Sequence, residues 1–148
     1  MVDFAQMEIT DSQKEKLIEE AKKALKNSYP PKREAGNSYS AAVLTKAGNI
    51  HSAASYVSDT YSLTLHGEQS VLAHAAAHGE FEIVAIAVAS TEDLPKGEFT
   101  PPCHMCKQVL YDSSLHSGLP MLVILANGHG ETKEVDLSEM LPYPWPRK

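Results

Sequence analysis

The sequence predicts a three-layer α/β/α domain, with a mixed five-stranded sheet, its last two strands antiparallel, and helices on both faces. Three observations point to it. Segments of helical and strand periodicity follow one another in the order α, β, β, α, β, α, β, β. Glu82 to Ala89 (EIVAIAVA) is a near-continuous apolar run with β-branched residues, as a central strand covered on both faces requires. Asn127-Gly128-His129-Gly130 joins the final two strands by a link too short for a parallel crossover.

Taken in order, Thr10 followed by Gln13 reads as a capping box, and Leu17, Ile18, Ala21, Ala24 and Leu25 give a first helix its apolar stripe. The lysines and glutamates between them read as a solvated face. Residues 27–37, with Pro30, Pro31 and Gly36, read as a loop. Ser38 to Thr45 and Ile50 to Tyr56, joined through Gly48, form a hairpin. Tyr61 to Leu65 leads into a second helix with its body over Gln69 to His78 and Gly79 at its C′ position. After the strand at Glu82 to Ala89 comes a polar loop, then a helix from Cys103 to about Ser114. Strands at Met121 to Ala126 and Thr132 to Asp136 follow, and Leu137 to Leu141 forms a last turn that the proline-rich tail ends. Both crossovers through the central strand should be right-handed.

A chain of 148 residues, 43% hydrophobic, is the size of one domain and buries a core without staples, so residues 1–148 are expected to form a single unit. No signal-peptide pattern or membrane-length apolar run is present, and the expected location is cytoplasmic. Nineteen acidic against thirteen basic residues give a net charge of -6 without a basic run, which argues against long nucleic acids and membrane surfaces as partners and favours a small molecule. Cys103 and Cys106, the two cysteines, would close only a very small disulfide ring, a poor stabiliser that directs attention to metal or redox chemistry.

At a helix start, Cys103 and Cys106 at i, i+3 lie on one face, where they can share one ion and where the positive helix end favours thiolate. His66 and Glu68, at i, i+2, converge on the same point only if His66 lies at or just before a helix's first turn. Three protein ligands leave a tetrahedral zinc one open position for water, whose pKa falls to about 7, and a nearby carboxylate can then move protons. Two thiolates, a neutral imidazole and the ion sum to zero charge.

HGE at 66–68 and PCHMC at 102–106 match the H-x-E and P-C-x-x-C pattern of zinc nucleobase deaminases. With the paired strands before the motif, the Ser62-Leu63-Thr64-Leu65 lead-in and the Leu141-Pro142-Tyr143 ending, the chain resembles the cytidine deaminase family, including its blasticidin S deaminase-like members, over most of its length. The resemblance implies one zinc per chain held by His66, Cys103 and Cys106, with Glu68 as catalytic proton shuttle. It implies attack by hydroxide on the ring carbon that bears the amino group, with Glu68 protonating the ring nitrogen and then the departing ammonia. It implies that the Gly67 N–H and the Pro101 carbonyl hold the base. A homotetramer engaged in pyrimidine salvage is the corresponding expectation. The short link between the last two strands is similar to the branch acting on free nucleosides.

The chain departs from that pattern upstream. Where the free-nucleoside members carry an Asn-x-Glu that grips ribose, this chain has Ser55 and Val57. The aromatic residue before the first strand is replaced near Asn37, which with Ser55 is expected to touch substrate. Lys107 stands where members ligating through an additional thiolate have arginine.

Two alternatives are a thiol-disulfide oxidoreductase using Cys103 as nucleophile, which leaves His66 and Glu68 without a role, and a non-enzymatic zinc-supported binding module. His74 and His78, at i, i+4, read as a solvent-facing decoration of the helix, and His51, His116 and His129 as surface residues. His104 reads either as a substrate-facing or as an exposed helix-start residue. Tyr143 and Trp145 either cap the core or cover a neighbouring subunit's pocket.

Overall fold

A computed structural model of the chain describes residues 8–31 and 36–147. The expected loop over 27–37 therefore falls partly outside the described residues. Helix α1 spans Asp11–Ala24, and its capping box is formed: the Gln13 N–H donates to Thr10 Oγ1 at 3.1 Å and the Thr10 N–H to Gln13 Oε1 at 3.0 Å. Leu25, expected in the same helix, instead begins a short 3-10 turn, Leu25–Asn27.

Strands β1 (Tyr39–Thr45) and β2 (Ile50–Ala54) form the expected hairpin. Strand β2 stops two residues short of Tyr56: the Ser55 N–H still donates to Tyr39 of β1, but the Ser55 carbonyl and the Tyr56 backbone bond Tyr29 and Leu65, described below. Helix α2 spans Gly67–Ala77, β3 Ile83–Ser90, α3 His104–Ser117, β4 Leu122–Ala126 and β5 Thr132–Asp136. Helix α3 runs about a turn beyond the expected Ser114 and ends at Gly118, whose φ of 70° supplies the left-handed cap.

The sheet order is β2-β1-β3-β4-β5, with β3 and β4 parallel and every other neighbouring pair antiparallel. The period-two alternation of the strands sorts the core into two layers. Ala41, Val43, Ile86, Val88, Val123 and Leu125 pack with Val71 and Ala75 of α2 and Leu110 of α3. On the other face Ala42, Leu44, Ala85, Ala87 and Ile124 pack with Leu17 and Ala21 of α1. The crossovers β2-α2-β3 and β3-α3-β4 step across the sheet in the same direction, so α2 and α3 share a face and their N-termini emerge at the same edge of the sheet. That placement puts two sets of helix-start residues beside one another.

No helix among the described residues is long and apolar enough to cross a membrane. Tyr143 and Trp145 do not cap the core: they are 86% and 76% exposed, while the tail's backbone is tied to α3 through Gln108 Nε2 to the Trp145 carbonyl (2.7 Å) and the Tyr111 hydroxyl to the Pro146 carbonyl (2.6 Å).

Candidate active site

The approach to α2 is fixed by backbone pairing. Tyr56 and Leu65 exchange N–H···O bonds, each at 2.9 Å, and on its other side this segment bonds Tyr29 through Val57 N–H to Tyr29 O (2.9 Å) and Tyr29 N–H to Ser55 O (3.0 Å). Held this way, the chain delivers His66 to the N-cap in an extended conformation (φ -72°, ψ 160°), and the Gln69 side chain accepts from the His66 N–H at 2.8 Å. Gln69 thus orients the His66 backbone, and its position at N3 of a helix start was a signal present in the sequence. At α3, Cys103 is the N-cap, and its carbonyl accepts the first helical bond from Lys107 at 2.8 Å, which sets Cys103 and Cys106 side by side.

The two helix starts meet. His66 Nδ1 lies 3.3 Å from Cys103 Sγ and 3.3 Å from Cys106 Sγ, and the three donor atoms lie within 4.8 Å of one another. With Zn–S of about 2.3 Å and Zn–N of about 2.0 Å, the N–S edge of a tetrahedral site is about 3.5 Å, so one nitrogen and two sulfurs at this spacing fit a zinc ion. Glu68, in the first turn of α2 and 8% exposed, points its Oε2 to 3.1 Å from Cys106 Sγ. Burial first, and then the Glu68 carboxylate, push the Cys106 thiol up. A cation among these donors reverses that tendency, because a coordinating thiol is held deprotonated. Both cysteines are free, Cys103 exposed and Cys106 buried.

His66, Glu68, Cys103 and Pro101 open onto a cavity of about 360 Å³, within the range of small-ligand pockets. Ser55 and Val57 line its wall. The Ser55 hydroxyl is buried and has no hydrogen-bond partner among the described residues, although its backbone is held by Tyr39 and Tyr29. Val57 presents an apolar surface where the resemblance would place a carboxylate. Gly67 is buried beneath the site with its Cα against the β1 backbone, where an added Cβ would stand 2.9 Å from Ser40 Cα.

Asn37 is not brought to the cavity. It is exposed, and its Oδ1 accepts from the Thr91 hydroxyl at 3.2 Å. Tyr39, two residues later and first in β1, lines the cavity instead, so an aromatic ring is present there after all. Alternation does not separate the two, since residues 37 and 39 share a parity: β1 begins at Tyr39, and Asn37 lies before it, outside the sheet, where its side chain bonds Thr91. Glu92 was also missed. Its carboxylate accepts from the Tyr39 hydroxyl and, at 2.6 Å, from Thr100 Oγ1, tying together two residues of the cavity wall that lie far apart in sequence.

Comparison with known proteins gives concordant results. Residues 11–119 match the family model for the cytidine and deoxycytidylate deaminase zinc-binding region. The chain is 33% identical over 128 residues to a cytidine deaminase of Halalkalibacterium halodurans, covering 85% of this chain and 89% of that protein. It is 32% identical over 130 residues to a cytidine deaminase of Sporosarcina psychrophila, covering 86% and 88%. The crystal structure of cytidine deaminase from Burkholderia pseudomallei superposes with a TM-score of 0.76 at 26% identity, covering 93% of this chain and all (100%) of that one.

Proposed function

The chain belongs to the cytidine and deoxycytidylate deaminase family, and from that premise we propose that it is a zinc-dependent hydrolase that deaminates a cytidine-like nucleoside or a related amino-substituted heterocycle. One observation carries the reading: the Glu68 carboxylate sits beside the His66, Cys103 and Cys106 donors and faces a cavity of small-molecule size. His66, Cys103 and Cys106 hold one zinc, which supplies Lewis acidity and lowers the pKa of water to about 7. Glu68 takes the proton released from water, delivers it to the ring nitrogen, and moves a proton to the departing amine. Water and the C–NH2 group become a carbonyl and ammonia, so atoms balance without a further co-reactant. In this reading, as the resemblance to the family implies, the base is held by the Gly67 N–H, which as a first-turn group has no intrahelical acceptor, and by the carbonyl of Pro101, which lines the cavity. The oxidoreductase alternative gives neither Glu68 nor the cavity a task.

The test is a panel of cytidine, deoxycytidine, free cytosine and other amino-heterocycles, assayed for ammonia release with the protein as purified, after chelation and after zinc is restored. Release from at least one member, lost on chelation and regained with zinc, is the expected result. Release that survives complete metal removal would refute the zinc assignment. If no member of the panel releases ammonia, and some raise the melting temperature, the binding-module alternative replaces the deaminase reading.

Ser55 and Val57 bear on which substrate is preferred. A buried hydroxyl without a protein partner beside the cavity is suited to one hydrogen bond with a ligand polar group. Ser55→Ala is expected to raise KM for the preferred substrate roughly 2- to 12-fold, the equivalent of about 0.5–1.5 kcal/mol, and to leave kcat close to unchanged. Steady-state kinetics with the best panel substrate check this, and an unaltered KM removes Ser55 from the contact set.

A further inference from the structure

At the end of α2 remote from Glu68, His74 and His78 are exposed as expected, and the structure sets His51, read from the sequence as a separate surface residue, beside them. His51 comes from β2, and His74 and His78 from the last turn and C-cap of α2. One ring nitrogen from each lies within 4.8 Å of the other two, and the ring centroids are 4.9 to 5.6 Å apart. The spacing i, i+4 puts His74 and His78 on one helix face. Only the packing of α2 on the hairpin, which sequence periodicity does not contain, brings His51 opposite them.

We propose that His51, His74 and His78 form a second, surface metal site for a borderline divalent ion of the zinc type, separate from the His66 site. Three imidazoles from a strand and a helix make a donor set that suits zinc, copper or nickel and leaves a coordination position open to solvent. The second support is Glu80. Its Oε2 bonds His51 Nε2, so Nδ1 is the nitrogen that His51 has left to offer the cluster. A ring nitrogen bonded to a carboxylate while the other faces an ion is the arrangement that fixes tautomer and orientation in histidine metal sites. Glu80 is itself held, its Oε1 accepting from Thr45 Oγ1 and Asn49 Nδ2, each at 2.9 Å.

The backbone also fits. Gly79, with φ 75°, lets the helix close in a Schellman turn, with the Gly79 N–H on the Ala76 carbonyl (2.9 Å) and the Glu80 N–H on the Ala75 carbonyl (3.0 Å). This turn fixes the corner that joins His78 to Glu80. The C-terminal end of a helix favours a cation, and the site lies about 18 Å along α2 from His66, too far for the two ions to share ligands.

Elemental analysis of zinc bound per chain, after equilibration with excess zinc and removal of free metal, tests the proposal. The wild-type protein should bind one more equivalent than His74→Ala and one more than His51→Ala, whatever the count at the cysteines. Cys103→Ser with Cys106→Ser should lose the other equivalent and keep this one, so failure here and failure of the deaminase assignment are distinguishable. Glu80→Gln should weaken this equivalent about 10- to 100-fold in a zinc titration with its melting temperature near that of the wild type. Identical zinc counts in the wild type and both histidine variants would overturn the proposal and leave the three rings as packing contacts.

Discussion

Glu68→Gln is expected to retain zinc and fold and to lose turnover by about 10²- to 10⁴-fold, the range that a positioned general acid–base supplies. The substitution preserves volume and leaves an amide oxygen at the position from which Oε2 now meets Cys106 Sγ at 3.1 Å. It removes the ability to take a proton from water and return it to the ring and the leaving amine. The two readouts separate roles that one would confuse. Zinc content, compared in a His74→Ala background that lacks the second site, reports on His66, Cys103 and Cys106, none of which is altered, and ammonia release reports on proton transfer. A variant within about tenfold of wild-type turnover would remove Glu68 from the chemistry. A variant that loses its zinc would make Glu68 part of the metal's support instead. Glu68→Ala is the less discriminating change, because it also opens a space beside the buried Cys106.

The fold was legible where local chemistry and global packing agree. The Thr10–Gln13 capping box, Gly79 after α2 and the apolar run of β3 each state their structure within a few residues, and each is found. The short link before β5 could only return antiparallel, and it does. The convergence of His66 with Cys103 and Cys106 was readable because both segments are helix starts on the same side of the crossovers, a topological rule and not a local one. What was not readable depends on where a strand begins and on distance in sequence. Tyr39 rather than Asn37 reaches the cavity because β1 begins at Tyr39 and Asn37 falls outside it, and a strand's first residue is poorly marked in sequence. Glu92 joins Tyr39 to Thr100 across a loop, and Glu80 joins β1 and β2 residues to the end of α2. No periodicity encodes such contacts. His51 belonged to the same class: its partners are 23 and 27 positions away, as the difference in residue numbers shows (74 - 51 and 78 - 51), and only the seating of α2 on the hairpin unites them.

Gly67→Ala should be far more damaging than a one-methyl change at a helix start usually is. In isolation the substitution favours the helix, by up to about 1 kcal/mol from propensity. Here the new Cβ would stand 2.9 Å from Ser40 Cα and 3.0 Å from Ser40 C, closer than non-bonded carbons approach. The neighbour cannot yield cheaply. Ser40 is paired in the sheet to both Ala54 and Ala89, and its hydroxyl donates to the Ala21 carbonyl of α1 on the opposite face. Relief must come from α2, whose first residues include His66 at the N-cap and Glu68 in the first turn. Overpacking of this kind costs about 1–3 kcal/mol, more than the propensity gain, so a net loss of stability is expected in a melt. The larger effect is on activity. A shift of α2 by several tenths of an ångström moves His66 relative to both sulfurs and Glu68 relative to the cavity, and misplacement of about 1 Å can cost a hundredfold. The expected result is a folded protein with turnover reduced about a hundredfold and weakened zinc retention at the His66 site. Turnover and zinc affinity equal to the wild type would show that α2 does not depend on the absent Cβ to seat its first turn against β1.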